Sequence, residues 1–246
     1  MIKHTAKALL CSLFLLTFSA TFADWDPEFI ENADISILEN TDYKNLKNKV
    51  LNATKGSWCS EEKTNLLMDL VLLEKPQVCV EIGACTGSSI LPIGATLQFL
   101  KKGKVYAIDA WSNKVATQYW LDTDPNKVWW STVDMKAIHK IYQDLIRSWG
   151  LKNFCKELSM SSENAISKLD TIDFLHLDGD YSEPGSLKDV ELYLPKVKSG
   201  GYILLSNLFV MINGKQPKLK SFSALLDDCE IVCEIERDNA ILFRKY

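Results

Sequence analysis

Short apolar runs alternate along most of the chain with longer segments in which apolar positions recur at helical spacing. The runs predict β-strands at residues 78–82, 104–108, 172–177 and 201–205, with a weaker one at 153–157. The longer segments predict helices at 87–100, 133–148, 161–168 and 185–194. Short apolar strands that alternate with helices are typical of a parallel sheet covered by helices on both faces.

The two ends of this region add further elements. Upstream, SEEKTNLLMDLVLLEKP predicts a helix that Ser60 caps and Pro76 ends, although Lys63 stands where a capping box would place Glu. Before it, DYKNLKNKVLNAT predicts another helix, and the final CEIVCEIERDNAILFRKY predicts two strands around the turn RDN. The predicted fold is therefore α/β: a Rossmann-like doubly wound sheet, mostly parallel, with an antiparallel C-terminal edge strand.

The first residues follow the order of a secretory signal. Two lysines precede the apolar run ALLCSLFLLTF, and small residues follow in SATFA before the acidic DWD. Because the run is too short for a full membrane span, we expect residues 1–23 to be a cleaved signal peptide and the protein to be exported, periplasmic or secreted. The alternative is an uncleaved membrane anchor that leaves the domain in the cytosol. Residues 24–57 would then form an N-terminal helical extension, and residues 58–246 the main domain.

The charge of the chain bears on its binding partners, and its cysteines bear on whether it contains disulfides. The formal net charge is −4 at pH 7 and the chain has no basic run, which argues against nucleic acid as a partner. We interpret most of the seven cysteines as small apolar residues, and a Cys229–Cys233 disulfide is disfavoured if both lie on one strand. The sequence predicts no stable membrane insertion once the signal is cleaved. It is compatible with a homo-oligomer.

The stretch VCVEIGACTGSSI carries the first strand into a turn that contains Gly83 and Gly87. Ligands of open α/β sheets bind where strands end. A dinucleotide fingerprint needs glycines where Cys85 and Ser88 stand, so the turn suits a ligand without a pyrophosphate and a dehydrogenase is disfavoured. The second strand ends in VYAIDAW, which places Asp109 where a carboxylate can bind a ribose diol. A turn that merely ends the strand is the alternative role for this residue.

These two stretches resemble the nucleoside-binding half of class I S-adenosylmethionine-dependent methyltransferases. The later stretch IDFLHLDGDYSEPGSLKDVELYLPKVKSGGYILLSNL is similar to the second half of small-molecule O-methyltransferases related to sugar and antibiotic-tailoring enzymes and, more distantly, to the catechol type. The resemblance covers about residues 58–246. It implies methyl transfer from S-adenosylmethionine to an oxygen of a small molecule, such as a sugar-like or aromatic hydroxyl. The alternative is a non-catalytic nucleoside-binding protein with a degenerate site.

The resemblance also implies roles for matching positions. The implied cofactor contacts are Glu81, Gly83, Gly87, Ser88, Asp109, Met160, Ser161 and Asp178. In the metal-dependent relatives a divalent ion is held at the ends of the fourth and fifth strands, which here implies Mg²⁺ bound by Asp178, Asp180 and Asn207. Ser206 stands in place of one expected carboxylate, and the alternative for Asp178 and Asp180 is a polar turn at the strand end.

The catalytic candidates are Asp178, Tyr181 and His176. Tyr181 occupies the position where closer relatives carry histidine, and a tyrosine is a poor base near neutral pH unless a cation lowers its pKa. His176 lies inside a predicted strand, so the alternative for it is a buried and hydrogen-bonded histidine. The tryptophan-rich segment 111–132 has no clear period, and it predicts either an aromatic lid over the substrate or a packed insertion.

Overall fold

The computed structural model describes residues 25–30, 33–212 and 214–246, so the predicted signal peptide lies outside the described residues. A seven-stranded sheet forms the centre of the structure. Its strands are β1 (Val78–Ile82), β2 (Lys104–Asp109), β3 (Cys155–Ser159), β4 (Ile172–Leu177), β5 (Val197–Leu205), β6 (Cys229–Ile235) and β7 (Ala240–Lys245). Their order is β3-β2-β1-β4-β5-β7-β6. The first five strands are parallel, and β7 pairs antiparallel with both β5 and β6.

Helices cover both faces of the sheet. The α-helices are α1 (Thr41–Thr54), α2 (Glu61–Glu74), α3 (Ile90–Leu100), α4 (Asn113–Ala116), α5 (Pro125–Thr132), α6 (Met135–Ser148), α7 (Ser162–Ala165), α8 (Glu183–Tyr193) and α9 (Leu219–Leu225). Short 3₁₀ turns lie at Pro27–Phe29, Ile35–Glu39, Leu151–Asn153, Ile166–Lys168, Leu194–Lys196 and Glu236–Asp238.

Two apolar cores, one on each face, explain why the strands are apolar at nearly every position. Along β5, Tyr202 and Leu204 pack into the core beneath α1, α2 and α3, whereas Ile203 and Leu205 pack into the core beneath α8 and α9. Successive side chains of a strand point to opposite faces, so a strand buried on both faces needs apolar residues throughout. The predicted doubly wound α/β fold is confirmed.

Most of the predicted elements match those of the structure, and the differences are local. Strands β1 and β4 have the predicted bounds, whereas β3 lies two residues later than the predicted 153–157. Helix α3 begins only at Ile90 because the glycine turn continues through the residues before it. The predicted edge strand is a hairpin in which the last strand, β7, lies inside the sheet and β6 forms the edge. The segment 111–132, which showed no period, contains the short helices α4 and α5.

The N-terminal extension packs against the rest of the structure through α1, which contacts α2 and α3. Its residues Tyr43 and Val50 are buried in the core on that face. In the described part of the chain no helix is both long and apolar enough to span a membrane. The predicted boundary between the extension and the main domain at residues 57 and 58 stays a prediction.

Candidate active site

A cavity of about 1250 Å³ opens at the carboxyl ends of β1, β2 and β4. The chain leaves β1 toward β2 and β3 on one side and returns to β4 and β5 on the other, so this is the point at which the strand order reverses. The cavity wall brings together nine of the residues predicted from the sequence: Gly83, Ser88, Asp109, Met160, Ser161, Asp178, Asp180, Tyr181 and Asn207. Glu81, Gly87 and His176 are not part of the wall.

The turn after β1 depends on the absence of a side chain at Gly83. This residue has φ +89°, and a Cβ there would lie 2.5 Å from the carbonyl oxygen of Asp178 and 2.7 Å from the Cα of Gly179. Such distances are far inside van der Waals contact. The absence of a Cβ at Gly83 therefore lets the tips of β1 and β4 approach each other closely.

Asp109, at the end of β2, holds the glycine turn in place. Its Oδ2 accepts a hydrogen bond from the backbone N–H of Cys85 (2.9 Å), and its Oδ1 accepts one from the backbone N–H of Trp111 (2.7 Å). Burial raises the pKa of Asp109 above its usual value, although these two hydrogen bonds act to lower it. A carboxylate has about four lone-pair sites, so this residue can organise the turn and still accept ribose hydroxyls.

Trp111 supports the same turn from the other side. Its indole N–H donates to the carbonyl oxygen of Cys85 (2.9 Å), and its ring stacks on His139 with centroids 4.0 Å apart. Trp111 and Trp120 are buried, while Trp129 is exposed near the rim of the cavity. The tryptophan-rich segment is therefore mainly a packed insertion, and Trp129 is the part that fits the predicted lid.

Glu81 and His176 lie beneath the turn rather than in the cavity. The two residues are register partners on β1 and β4, are fully buried, and bring Glu81 Oε2 within 3.4 Å of His176 Nδ1. Glu81 also accepts a hydrogen bond from the hydroxyl of Ser89, just before α3, and His176 Nε2 lies 2.9 Å from Ser206 Oγ. His176 is hydrogen-bonded through Nε2 only, its Nδ1 has no hydrogen-bond partner, and the ring does not line the cavity. Its role as the catalytic base stays a prediction.

Asp178, at the tip of β4, is surrounded by hydrogen-bond donors. Its Oδ1 accepts from the side-chain amide of Asn207 (2.6 Å), and its Oδ2 lies 3.5 Å from the ammonium of Lys63. Burial alone would raise the pKa of Asp178, but Lys63 and other nearby cations hold it below its usual value. Asp178 is therefore a carboxylate at neutral pH.

Lys63, in the first turn of α2, is a site residue that the sequence analysis did not identify. Its side chain is only 3% exposed, and its ammonium lies 3.1 Å from Asp238 Oδ1. Burial disfavours the charged form, yet the nearby Asp178 and Asp238 raise the pKa above the ordinary value of lysine. The one available signal was that Lys63 occupies the glutamate position of a capping box. Asp238 supplies the missing carboxylate, because it accepts from the backbone N–H of Ser60 (3.3 Å).

The residues at the predicted magnesium site do not fit the ion. Asn207 turns its amide N–H toward Asp178, the other oxygen of Asp178 faces Lys63, and Asp180 accepts from the backbone N–H of Ser182 (2.6 Å). Within the described residues, no group of three or more histidine, cysteine, aspartate or glutamate side chains could hold a metal ion. Magnesium prefers carboxylate and carbonyl oxygens that are free to coordinate, and an ammonium at the same place repels it.

A second buried lysine, Lys218, lies near Asp180 and Tyr181. Its ammonium donates to the carbonyl oxygen of Ser206 (2.9 Å) and lies 5.0 Å from the centre of the Tyr181 ring. Burial lowers the pKa of Lys218, and burial also raises the pKa of Tyr181 well above its usual value. Tyr181 therefore keeps its proton at neutral pH, and the cation beside it does not make it a base.

Two further groups of titratable side chains lie in the cavity wall. Asp189 on α8 is buried and accepts from the hydroxyl of Ser162 (2.5 Å), and burial raises its pKa to about 7. At the other side, Lys188 lies 3.1 Å from Glu163, which also accepts a hydrogen bond from the hydroxyl of Tyr119. These groups give the wall fixed polar contacts near Met160 and Ser161.

The six cysteines within the described residues are free, and Cys229 and Cys233 both lie on β6. Burial raises the pKa of the Cys85 thiol, which lines the cavity, to about 12. A thiol with so high a pKa is protonated at neutral pH and is not a nucleophile. Five of the six are buried and Cys85 is half-buried, which agrees with the interpretation of most of them as small apolar side chains.

The family model described as a methyltransferase domain matches residues 80–208. This range contains most of β1, all of β2 to β5 and most of the cavity wall, and it covers more than half of the chain. The chain belongs to this methyltransferase family. A comparison with curated protein sequences found no match.

Solved structures show the same fold at low sequence identity. The O-methyltransferase TomG of Streptomyces achromogenes, involved in tomaymycin synthesis and solved with SAM, is 14% identical with a TM-score of 0.57, over 81% of this chain and 89% of that one. A SAH-bound methyltransferase from Podospora anserina is 15% identical with a TM-score of 0.51, over 100% and 97%. An O-methyltransferase from Bacillus cereus, in complex with SAH, is 14% identical with a TM-score of 0.52, over 86% and 94%. The predicted class I methyltransferase fold is confirmed.

Proposed function

We propose that this protein transfers a methyl group from S-adenosylmethionine to an oxygen of a small molecule. The observation that carries the proposal is the cavity of about 1250 Å³ at the point where the strand order reverses, with Asp109 and Asp178 in its wall. Ligand cavities are commonly about 300–1,000 Å³, so this one has room for a nucleoside and an acceptor together. Membership of the methyltransferase family supports this use of the space.

The cofactor would supply a methyl group on a sulfonium, which is already a strong electrophile. The protein then has to hold the acceptor oxygen in line with it, and alignment alone can lower a barrier by several kcal/mol. We assign ribose binding to Asp109, the close backbone approach to Gly83, and the adenine side of the cavity to Met160 and Ser161. Asp178, at the tip of β4, would face the acceptor. A nucleoside fits this wall, since the turn presents backbone rather than side chains at Gly83.

Aromatic rings and the solved relatives support a small acceptor with a hydroxyl group. The cavity wall includes Tyr119, Trp120, Trp129 and Trp130, and flat or sugar-like molecules stack well on aromatic faces. TomG and the Bacillus cereus protein are both named O-methyltransferases. Transfer to oxygen is therefore the reaction that we propose for this chain.

The second candidate is a nucleoside-binding protein without turnover, and one observation favours it. Tyr181 keeps its proton because burial raises its pKa, and His176 does not reach the cavity. Tyr181 lines the cavity but is already protonated, and His176 is not in the wall, so neither predicted base is ready to take a proton from an acceptor. An acceptor that is already ionised near neutral pH would remove the need for a base.

Calorimetric titration with S-adenosylmethionine and S-adenosylhomocysteine tests the shared part of both candidates. We expect both to bind, and a folded protein that binds neither would contradict the nucleoside site. Incubation with methyl-labelled S-adenosylmethionine and a panel of phenols, catechols and sugars then separates the candidates. Labelled product supports the enzyme, whereas tight binding without product from any acceptor favours the binding protein.

We also infer that residues 1–23 are a signal peptide that directs the domain out of the cytosol. The basic, apolar and small-residue order supports this inference, and few basic residues follow the apolar run to retain the domain inside. S-adenosylmethionine is made in the cytosol, so an exported enzyme would need a supply outside it. Sequencing the N-terminus of the protein recovered from each compartment tests the export: a mature chain that begins at Asp24 supports it, and an intact N-terminus in the membrane fraction supports the anchor.

A further inference from the structure

Lys63 is a permanently placed cation in the wall of the cavity. Its side chain is 3% exposed, and its ammonium lies between Asp238 Oδ1 at 3.1 Å and Asp178 Oδ2 at 3.5 Å. Removing an ammonium from water costs several kcal/mol unless opposite charges accompany it. Two carboxylates next to one lysine meet that condition, and both of them also belong to the cavity wall.

The carboxylates and the lysine come from distant parts of the fold. Lys63 lies in the first turn of α2, Asp178 follows β4, and Asp238 lies in the turn between β6 and β7. Ser60 fixes the start of α2 because its hydroxyl accepts from the backbone N–H of Lys63 (3.0 Å) and its own backbone N–H donates to Asp238. The ammonium and its two carboxylates are thus brought together by three separate elements of the fold.

The oxygen atoms that would hold a divalent ion at the end of β4 are already occupied by N–H donors of this chain. Asn207 donates to one oxygen of Asp178, and Lys63 faces the other. Ser206, which stands in place of a carboxylate, is buried against His176 and does not line the cavity. At the end of β4 the chain therefore lacks one of the carboxylates expected of a metal site, and it places the ammonium of Lys63 there instead.

We propose that Lys63 is the cation of this site, taking the place of a divalent metal and holding the acceptor oxygen beside Asp178. This inference rests on the proposed function, because the acceptor is defined by it. An ammonium has three N–H donors, and two carboxylates leave one donor for an oxygen in the cavity. A metal ion can hold two oxygens of one acceptor, whereas one N–H holds one. The acceptor class is thus a molecule with a single reactive hydroxyl, and a vicinal diol is not required.

Manganese binding tests this inference without a known acceptor. Mn²⁺ enhances water-proton relaxation when bound, so the full protein can be titrated with and without S-adenosylhomocysteine and compared with Asp178→Asn. We expect the two proteins to behave alike, with no site tighter than about 1 mM, because Lys63 repels the ion. A tight site in the unchanged protein that Asp178→Asn removes would overturn the proposal.

The Lys63→Met variant tests the same point in the opposite direction. Methionine keeps the length and apolar stem but removes the charge, so Asp178 and Asp238 lose their cation and should bind Mn²⁺ about tenfold or more tightly than the unchanged protein. Adding Asp178→Asn to this variant should remove the gain. A folded Lys63→Met protein that binds Mn²⁺ no more tightly than the unchanged protein would also overturn the proposal. Lys63 would then not be the cation that takes the place of a metal beside Asp178 and Asp238.

Two controls separate the possible causes. Lys218→Met removes another buried lysine, whose ammonium donates to a backbone carbonyl and lowers the pKa of Asp178 less than Lys63 does, so we expect a smaller gain of Mn²⁺ binding than in Lys63→Met. An equal gain there would assign the effect to net charge and contradict the role of Lys63. Thermal melting shows whether each variant is folded. If Lys63→Met does not fold, the comparison of the unchanged protein with Asp178→Asn still tests the proposal. Failure of S-adenosylhomocysteine to bind would count against the proposed function. The Mn²⁺ titration without S-adenosylhomocysteine would still test the role of Lys63.

Discussion

Replacing Gly83 by alanine should damage both the stability of the fold and the nucleoside site. The residue has φ +89°, and the new Cβ would lie 2.5 Å from the Asp178 carbonyl oxygen, about 1 Å inside normal contact. Placing an L-residue in the left-handed region costs about 1–2 kcal/mol. Overpacking costs about 1–3 kcal/mol more, because the tips of β1 and β4 have to separate. We therefore expect the free energy of unfolding to fall by about 2–5 kcal/mol.

Gly200→Ala provides a matched control. Gly200 has φ +74°, but a Cβ there would meet nothing within 4 Å, so only the conformational cost of about 1–2 kcal/mol applies. Urea unfolding of both variants isolates the clash as their difference. Calorimetry should show weaker binding of S-adenosylhomocysteine in Gly83→Ala, by about tenfold or more, and unchanged binding in Gly200→Ala. Equal losses of stability in the two variants would show that β1 and β4 do not meet at Gly83 as described.

Three further substitutions test other parts of the site. Asp109→Ala should weaken S-adenosylhomocysteine binding by about 1–3 kcal/mol, because ribose hydroxyls and the turn both lose an acceptor; an unchanged dissociation constant would remove Asp109 from the ribose site. Asp178→Asn should abolish methyl transfer, measured with any acceptor found in the panel, while S-adenosylhomocysteine still binds with its original affinity; full turnover would exclude the residue from the mechanism. Asp189→Asn should flatten the dependence of stability on pH. The folded-state pKa of Asp189 is about 7 against 3.8 for the free residue, so the unfolded chain binds fewer protons between these values and stability falls as pH rises through that window. Urea unfolding at pH 5 and pH 8 measures this, and an unchanged difference in the variant would refute the assignment.

The sheet and the glycine turn were predictable because their physical requirements are local. A strand buried on both faces is apolar at successive positions, and this pattern gave the bounds of β1 and β4. A turn that brings two strand tips together needs a residue without a Cβ, and Gly83 is visible as such in the sequence. The carboxylates at the ends of β2 and β4 follow from the same periodicity.

The segment that contains α4 and α5 was not predictable in the same way. These helices have four and eight residues, too short for a helical period to show above the surrounding sequence. Their tryptophans also serve different purposes, since Trp111 holds the glycine turn while Trp129 is exposed. Composition alone therefore left a lid and a packed insertion as equal alternatives.

The ion pairs of the site depend on distant contacts that no local pattern reveals. Lys63 was visible only as a departure from the capping box, and the departure did not say where its partner would come from. The order of the last two strands was hidden for a similar reason: either strand of a hairpin can pair with β5, and the sequence of the hairpin does not say which one does.

The contact between Ser60 and Asp238 also sets a limit on when the site can form during synthesis. These residues are 178 positions apart, and Asp238 lies in the last turn of the chain. The residues of β1 to β5 and of the glycine turn all leave the ribosome before Asp238 does. Until then α2 lacks half of its cap, and Lys63 has Asp178 as its nearby carboxylate but not Asp238. A product that ends before the final hairpin would therefore lack both the strand that pairs with β5 and the second carboxylate that neutralises its lysine.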